Sequence, residues 1–458
     1  MVPRGSDAAQ FSVGGGGSEV EGAALPDGGV PAVAVTVRSA ASGEAVLELR
    51  LPPASTVRAV RRQISAELSE ATLHTLRLLV GGCLVDDRET LAGLSLPSEL
   101  QLVRVPFCDE ASGSLLEHAM RQELAALELD LEVPACPDAT IPEDGTTALL
   151  LACWHGDLEM AQCLLEADAS PDKARHDGTS PLFMASQEGH IDIVRRLCEA
   201  RADKDKSPQD GASPLFMASQ KGHSEVVRHL CEVGADKDRA THDGTTPLLV
   251  ASLAGHFEVV EQLCRIGADK SSTTHDGTTP LFSASQNGHL EIVAHLCEAG
   301  VDRNQAVLSG ATPLFVAAQE GNLEVVTYLA QARADMEKAT RDGTTPLVIA
   351  SLEGHVDIVQ CLCQLGADKD NAMLNGATPL FIAAQEGHLE VVRCLCEAAA
   401  DMDRAMLIGS TPLSIAAEEG HLEVVRHLCW AGADLERAIC DEAREVAAVW
   451  RGAAPLMV

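Results

Sequence analysis

A Ser or Thr followed by Pro-Leu occurs eight times in this chain, with its proline at 181, 214, 247, 280, 313, 346, 379 and 412. Every interval is 33 residues, without insertion or deletion. A fixed period of that size marks a stack of like units, each too small to bury its apolar face alone. Such stacks present long surfaces to partners instead of enclosing a reaction site. The period therefore bears on function as well as on fold.

One unit runs from Asp276 to Leu308, and its residue types have mechanical reasons. Asp276-Gly277 supplies the turn of a hairpin tip, where a residue without Cβ tolerates positive φ. Thr279 is placed to cap a first helix, and Pro280 suits its first position because the missing N–H is not needed there. Leu281, Ala284 and Ser285 face inward, and Gly288 ends the helix. His289 begins the return. Ile292, Val293, Leu296 and Cys297 then form the apolar stripe of a second helix. Helices this short are marginal alone, so neighbours must stack.

This unit resembles the ankyrin repeat. The resemblance implies an α-helical solenoid of nine 33-residue units: 144–176, 177–209, 210–242, 243–275, 276–308, 309–341, 342–374, 375–407 and 408–440. The first unit deviates, with Ala148 in place of proline and Trp154 in its first helix, as an end unit would. One departure runs through the array. Where the family's Thr-Pro-Leu is usually followed by His, this chain has Phe183, Phe216, Leu249, Phe282, Phe315, Val348, Phe381 and Ser414. Apolar packing is expected there instead of a polar tie.

The rest of the chain divides by composition. Residues 1–29, with Gly14–Gly17, read as a disordered tail. Val33–Val37 and Ala45–Leu51 alternate like strands, and Thr56–Leu68 has helical spacing. Leu76–Val80 and Leu100–Val105 read as later strands. The order ββαβ…β over about 33–105 resembles ubiquitin, which implies a small α+β β-grasp domain, bounded at 33–107. Without a terminal Gly-Gly, and with no lysine before Lys173, conjugation and lysine-linked chains are not implied. Leu79 and Val103 match the centre of ubiquitin's apolar recognition surface; ordinary core or surface roles are the alternative. Over 108–143, Ser114-Leu-Leu-Glu117 reads as a capping box opening one amphipathic helix through Leu116, Met120, Glu123, Leu124 and Leu127. That helix is expected to cap the first repeat. Residues 441–458 are expected to cap the other end through Val446, Val449 and Trp450.

Charge and cysteine usage narrow the partners. Lys and Arg total 34 against 68 acidic residues, a net charge of −34. The stretch 33–105 is balanced, eight Arg against eight acidic residues, so the excess lies elsewhere. Such a field repels nucleic acid and anionic membrane and would steer a basic protein partner. No apolar run approaches a membrane span and no secretory leader is evident. With fifteen cysteines, these features point to a reducing compartment, the cytoplasm and also the nucleus. A monomer is expected.

No catalytic residue and no cofactor are expected. Ser, His and Asp are abundant because the repeat multiplies them, and no nucleophile elbow, Walker loop or kinase signature occurs. Seven histidines (190, 223, 256, 289, 355, 388, 421) and seven cysteines (198, 231, 264, 297, 363, 396, 429) form columns that resemble metal ladders by count alone. Stacked helices stand roughly 8–10 Å apart, whereas zinc needs ligands at about 2.0–2.3 Å. No metal site is expected, and the cysteines read as small buried hydrophobes.

The informative positions are those that vary without breaking the stack. By resemblance to ankyrin proteins, the ends of the first helices face a concave groove: Gln187, Gln220, Leu253, Gln286, Gln319, Leu352 and Gln385. The hairpin tips add Leu308, Leu374 and Leu407, preceded by Val307, Met373 and Met406. Recurrent apolar tips imply either a contact surface or packing between adjacent fingers. The expected function is a non-catalytic binding scaffold. A client adaptor of the ubiquitin system, docking through the N-terminal domain, is the alternative.

Overall fold

The structure is a computed structural model that describes residues 10–14, 33–39, 45–51, 60, 76–80, 83–84, 100–104, 109–132 and 135–437. The chain separates into two compact units, Met1–Ala185 with Asp192–Asp203, and Ser186–Ile191 with Lys204–Val458.

Among the described residues of the first unit, six strands form one sheet: β1 (Gln10–Gly14), β2 (Val33–Ser39), β3 (Ala45–Leu51), β4 (Leu76–Val80), β5 (Cys83–Leu84) and β6 (Leu100–Arg104). Their order is β3-β2-β1-β6-β4-β5. Strand β1 comes from the stretch expected to be a disordered tail; it runs antiparallel to both β2 and β6. The expected helix over 56–68 lies outside the described residues, apart from buried Val60.

Beyond the sheet, twenty helices among the described residues form ten pairs, a helical repeat solenoid. The first helices are α1 (Asp109–Arg121), α3 (Ala148–His155), α5 (Pro181–Glu188), α7 (Pro214–Lys221), α9 (Pro247–Ala254), α11 (Pro280–Gln286), α13 (Pro313–Gln319), α15 (Pro346–Leu352), α17 (Pro379–Glu386) and α19 (Pro412–Glu418). Each is followed by a second helix: α2 (Leu124–Glu132), α4 (Leu158–Glu166), α6 (Ile191–Glu199), α8 (Ser224–Glu232), α10 (Phe257–Arg265), α12 (Leu290–Glu298), α14 (Leu323–Gln331), α16 (Val356–Leu365), α18 (Leu389–Glu397) and α20 (Leu422–Ala431).

The segment before the first repeat differs from expectation. It is two helices, not one, broken where Gln122 takes a positive φ of 59°. Ser114 is no cap: the helix begins five residues earlier, and the Ser114 hydroxyl donates to the Ala111 carbonyl. The buried positions are Leu115, Ala119 and Leu127, so the inward stripe on α1 sits one residue from the expected Leu116 and Met120. Helix α1 packs on α3 and α2 on α4, as consecutive repeats do further along. The pair thus packs on the first repeat in the way that one repeat packs on the next.

Within each repeat the local logic holds. The side chains of Ser213, Thr246, Thr279, Thr312, Thr345, Thr378 and Thr411 each accept the N–H three residues on, with Pro at the next position. The residue whose N–H is capped is the one where His is usual in the family. Phe216, Leu249, Phe282, Phe315, Val348 and Phe381 are all buried there, as apolar packing requires.

The turns at the tips are stitched into a ladder. Leu308 N–H donates to Asp276 O at 2.8 Å, Leu374 N–H to Asp342 O at 3.0 Å and Leu407 N–H to Asn375 O at 3.1 Å. On the loops after the second helices, carboxylates of Asp205, Asp238, Glu337, Asp370 and Asp403 accept the N–H of the residue 31 positions on. Part of the acidic excess is therefore structural.

The tip carboxylates make the stack acid-sensitive. Hydrogen bonds from the hydroxyls of Thr241, Thr274 and Thr340 hold Asp243, Asp276 and Asp342 below the usual carboxylate range. In the first repeat, the Thr146 hydroxyl lowers Asp144 to about 2. A group depressed in the folded state stabilises above its unfolded pKa, about 3.9 for Asp, and loses that contribution as pH falls through the folded value. The urea midpoint is thus expected to fall steadily from about pH 4 toward pH 2. Replacing Asp243, Asp276 and Asp342 together with Asn should weaken the protein at pH 7, with the difference narrowing by pH 2.

Candidate protein-interaction face

The ends of seven first helices, α5, α7, α9, α11, α13, α15 and α17, are fixed by the following repeat. His223 Nε2 lies 2.9 Å from the Gln187 carbonyl, His256 Nε2 3.0 Å from Gln220 and His289 Nε2 3.2 Å from Leu253. Asn322 Nδ2 takes that place at 2.8 Å from Gln286, and His355, His388 and His421 repeat it at Gln319, Leu352 and Gln385. A carbonyl only accepts, so each imidazole presents Nε2 as the donor. These carbonyls belong to the last turn of a helix and lack an intrahelical partner. The histidine column staples repeat to repeat, with Nε2 committed to main chain. It also explains why these residues leave the start of the second helix without a side-chain cap.

With the main chain held, the side chains at these seven positions face outward. Leu253, Leu352, Gln220 and Gln286 are exposed; Gln187, Gln319 and Gln385 are half-buried. At the tips Leu308 is 60 % exposed, Leu374 72 % and Leu407 80 %. The two expectations for the tips divide between adjacent residues. Met373 and Met406 pack onto Val348, Ala377, Phe381 and Ile382, while the leucines after them point to solvent.

In the second unit, a groove of about 550 Å³ runs between tips and first helices over 309–382. Phe315, Val348, Ile349 and Ile382 are buried beneath it, with Leu352 and Met373 alongside. Of the nominated residues, Leu352 lines this groove. In the first unit, a separate pocket of about 330 Å³ is lined by Met120, Ile141, Leu150, Leu151, Trp154 and Met184, with Asp144 and Arg175 also facing it. Arg175 and Asp144 form an ion pair at 2.6 Å. Trp154 is 55 % exposed and stacks on His155 with centroids 5.3 Å apart.

Trp154 was not nominated from sequence, although it stands 33 residues before Gln187, in the same column. Ile408 and Trp430 were missed in the same way. Trp430 is 84 % exposed where the same column holds Glu, Gln or Arg in the other repeats. Comparing columns for solvent positions that turn apolar would have found all three. The expected cap at Val446, Val449 and Trp450 lies outside the described residues.

The cysteine column is less buried than expected. Cys297 is buried, but Cys198, Cys231, Cys264, Cys363, Cys396 and Cys429 are half-buried on the second helices. Burial still pushes the thiols of Cys231, Cys363 and Cys396 up to about 11, away from reactive thiolate. In the sheet, Leu79 pairs with Gln101 and Val103 with Arg77, so Leu79 and Val103 are diagonal neighbours on β4 and β6.

A family model described as ankyrin repeats, three copies, matches in overlapping windows over 116–207, 149–241, 200–274, 266–340, 300–373 and 365–438. Together these cover most of the chain. It belongs to the ankyrin-repeat family. The matched span starts inside α1, in keeping with a helix pair that extends the ankyrin stack upstream of residue 144. Ankyrin repeats mediate protein–protein interaction and are generally non-catalytic; no catalytic family was matched. No curated protein matches the chain. No helix among the described residues is long and apolar enough to cross a membrane.

Proposed function

We propose that this ankyrin-repeat chain is a non-catalytic adaptor that holds a protein partner along the concave face, made by the hairpin tips and the ends of the first helices. It acts as a monomer in the cytoplasm or nucleus. The observation that carries the reading is the division of labour at the first-helix ends. Carbonyls there are locked to the next repeat, leaving the side chains of Leu253, Gln286 and Leu352 free to vary without cost to the stack. The exposed leucines at the tips supply apolar contact area beside them. A few buried anchors usually dominate an interface, and these are the candidates.

The test uses a partner captured on the full chain, then titrated by calorimetry against two variant sets. Front changes (Leu308→Asp with Leu374→Asp, or Leu253→Arg) are expected to weaken binding tenfold or more. Back changes (Arg228→Ala or Glu261→Ala, both exposed on second helices) are expected to leave it within twofold. Loss through the back set alone overturns the reading.

A second reading draws support from the sheet. Although β1 lies between them in the strand order, β2 of the first hairpin also pairs in parallel with the last strand, β6, at Arg38 and Gln101, a contact expected of a ubiquitin-like β-grasp. On this reading the N-terminal domain docks on a proteasome or ligase component while the repeats select the client. Leu79→Glu or Val103→Glu should then abolish binding to a ubiquitin-receptor domain and leave partner binding by the repeats unchanged.

A further inference from the structure

We propose that the groove over 309–382 takes an extended, cationic segment of the partner whose apolar side chains recur at every third residue. The inference rests on the scaffold reading and deepens it by naming the ligand's chemistry.

Three features coincide at these repeats. The groove itself is apolar, with Ile349 and Ile382 in its floor and Leu352 and Met373 at its sides. Leu308 and Leu374, on the tips, are largely exposed. Exposed Glu320, Glu353 and Glu386 directly follow Gln319, Leu352 and Gln385 at the ends of the first helices. In the three preceding repeats that position holds Lys221, Ala254 and Asn287, so a row of acids begins at the repeat where the groove begins. Arg341 also lines the groove, and the carboxylate next to it, Asp342, offsets its charge. Thr340 donates to that carboxylate and keeps it ionised.

Spacing selects the ligand's conformation. Neighbouring first helices pack roughly 8–10 Å apart, and an extended chain advances about 3.3 Å per residue. Three residues therefore carry an extended segment from one repeat to the next. An extended strand therefore puts its anchors in register with the repeats, with its cations between them.

The probe is a labelled peptide of four Leu-Lys-Arg triplets, titrated against the full chain by fluorescence anisotropy. A peptide of identical composition with its leucines in one block, and a Leu-Asp-Glu version, serve as controls. The triplet peptide should bind at least tenfold tighter than the block peptide, and the acidic one should not bind. Leu352→Asp with Leu374→Asp should weaken it tenfold or more. Glu320→Lys with Glu353→Lys and Glu386→Lys should do the same and flatten its salt dependence. All five positions are exposed or half-exposed at the surface, and matched melting curves establish that the variants fold. Equal binding of triplet and block peptides, no binding of the triplet, or indifference to these variants overturns the proposal. A captured partner that responds to Leu253→Arg but not to the groove variants sinks this inference alone; one indifferent to every front change sinks the scaffold reading as well.

Discussion

Phe381→Ala is expected to lower the stability of the chain by about 3–5 kcal/mol, the usual cost of emptying a buried aromatic site. Phe381 is 2 % exposed and is among the largest fully buried side chains of the protein. Val348 from the preceding repeat, Met406 from the following tip, and Ala377, Ile382 and Met373 surround it. The cavity would open between repeats, where nearly all burial in a stacked array lies. Collapse is restrained because the tips on either side are tied by the Leu374 and Leu407 N–H bonds. Urea unfolding followed by circular dichroism gives the size of the loss. Hydrogen exchange gives its place: protection should fall first in α15, α17 and α19. A loss below about 1 kcal/mol, against the range for such substitutions, would mean that this ring does not carry the packing assigned to it.

How much of this was legible in the sequence follows from what a period can encode. The period locates whatever recurs. Thr-Pro pairs became capped helix starts, and the position after Pro-Leu proved buried. The groove-side positions also recur, and the main-chain bonds made by the histidine column explain why the nominated side chains face outward. What does not recur was misread. Helices α1 and α2 have no Thr-Pro-Leu, and their break uses Gln122 in a conformation usually left to glycine. A one-residue error in the stripe then followed, because Leu115 and Leu116 are both leucine and only packing decides between them. The groove was missed because its floor joins Phe315, Val348 and Ile382 from three repeats, a juxtaposition that no single unit displays. The dual behaviour of the tips was equally hidden, since Met-Leu reads as two apolar residues until one of them turns inward.

The histidine column itself yields the second large effect. Gly255 ends α9 in the left-handed region at φ 82°, and a Cβ there would lie 2.6 Å from Cε1 of His289. Gly255→Ala therefore meets two penalties. The left-handed conformation costs a residue with Cβ about 1–2 kcal/mol, and moving the imidazole breaks its bond to the Leu253 carbonyl, about 1 kcal/mol. A total near 2–3 kcal/mol is expected by urea unfolding, from those two terms. His289→Ala removes the same bond and also the obstacle. The double variant should therefore be more stable than the sum of the single losses predicts, by about 1 kcal/mol, the signature of two residues sharing one contact. Strict additivity would mean that ring and glycine do not meet, and the staple would have to be abandoned. Chelators should leave the whole cycle unchanged, because what His289 holds is the end of the preceding helix.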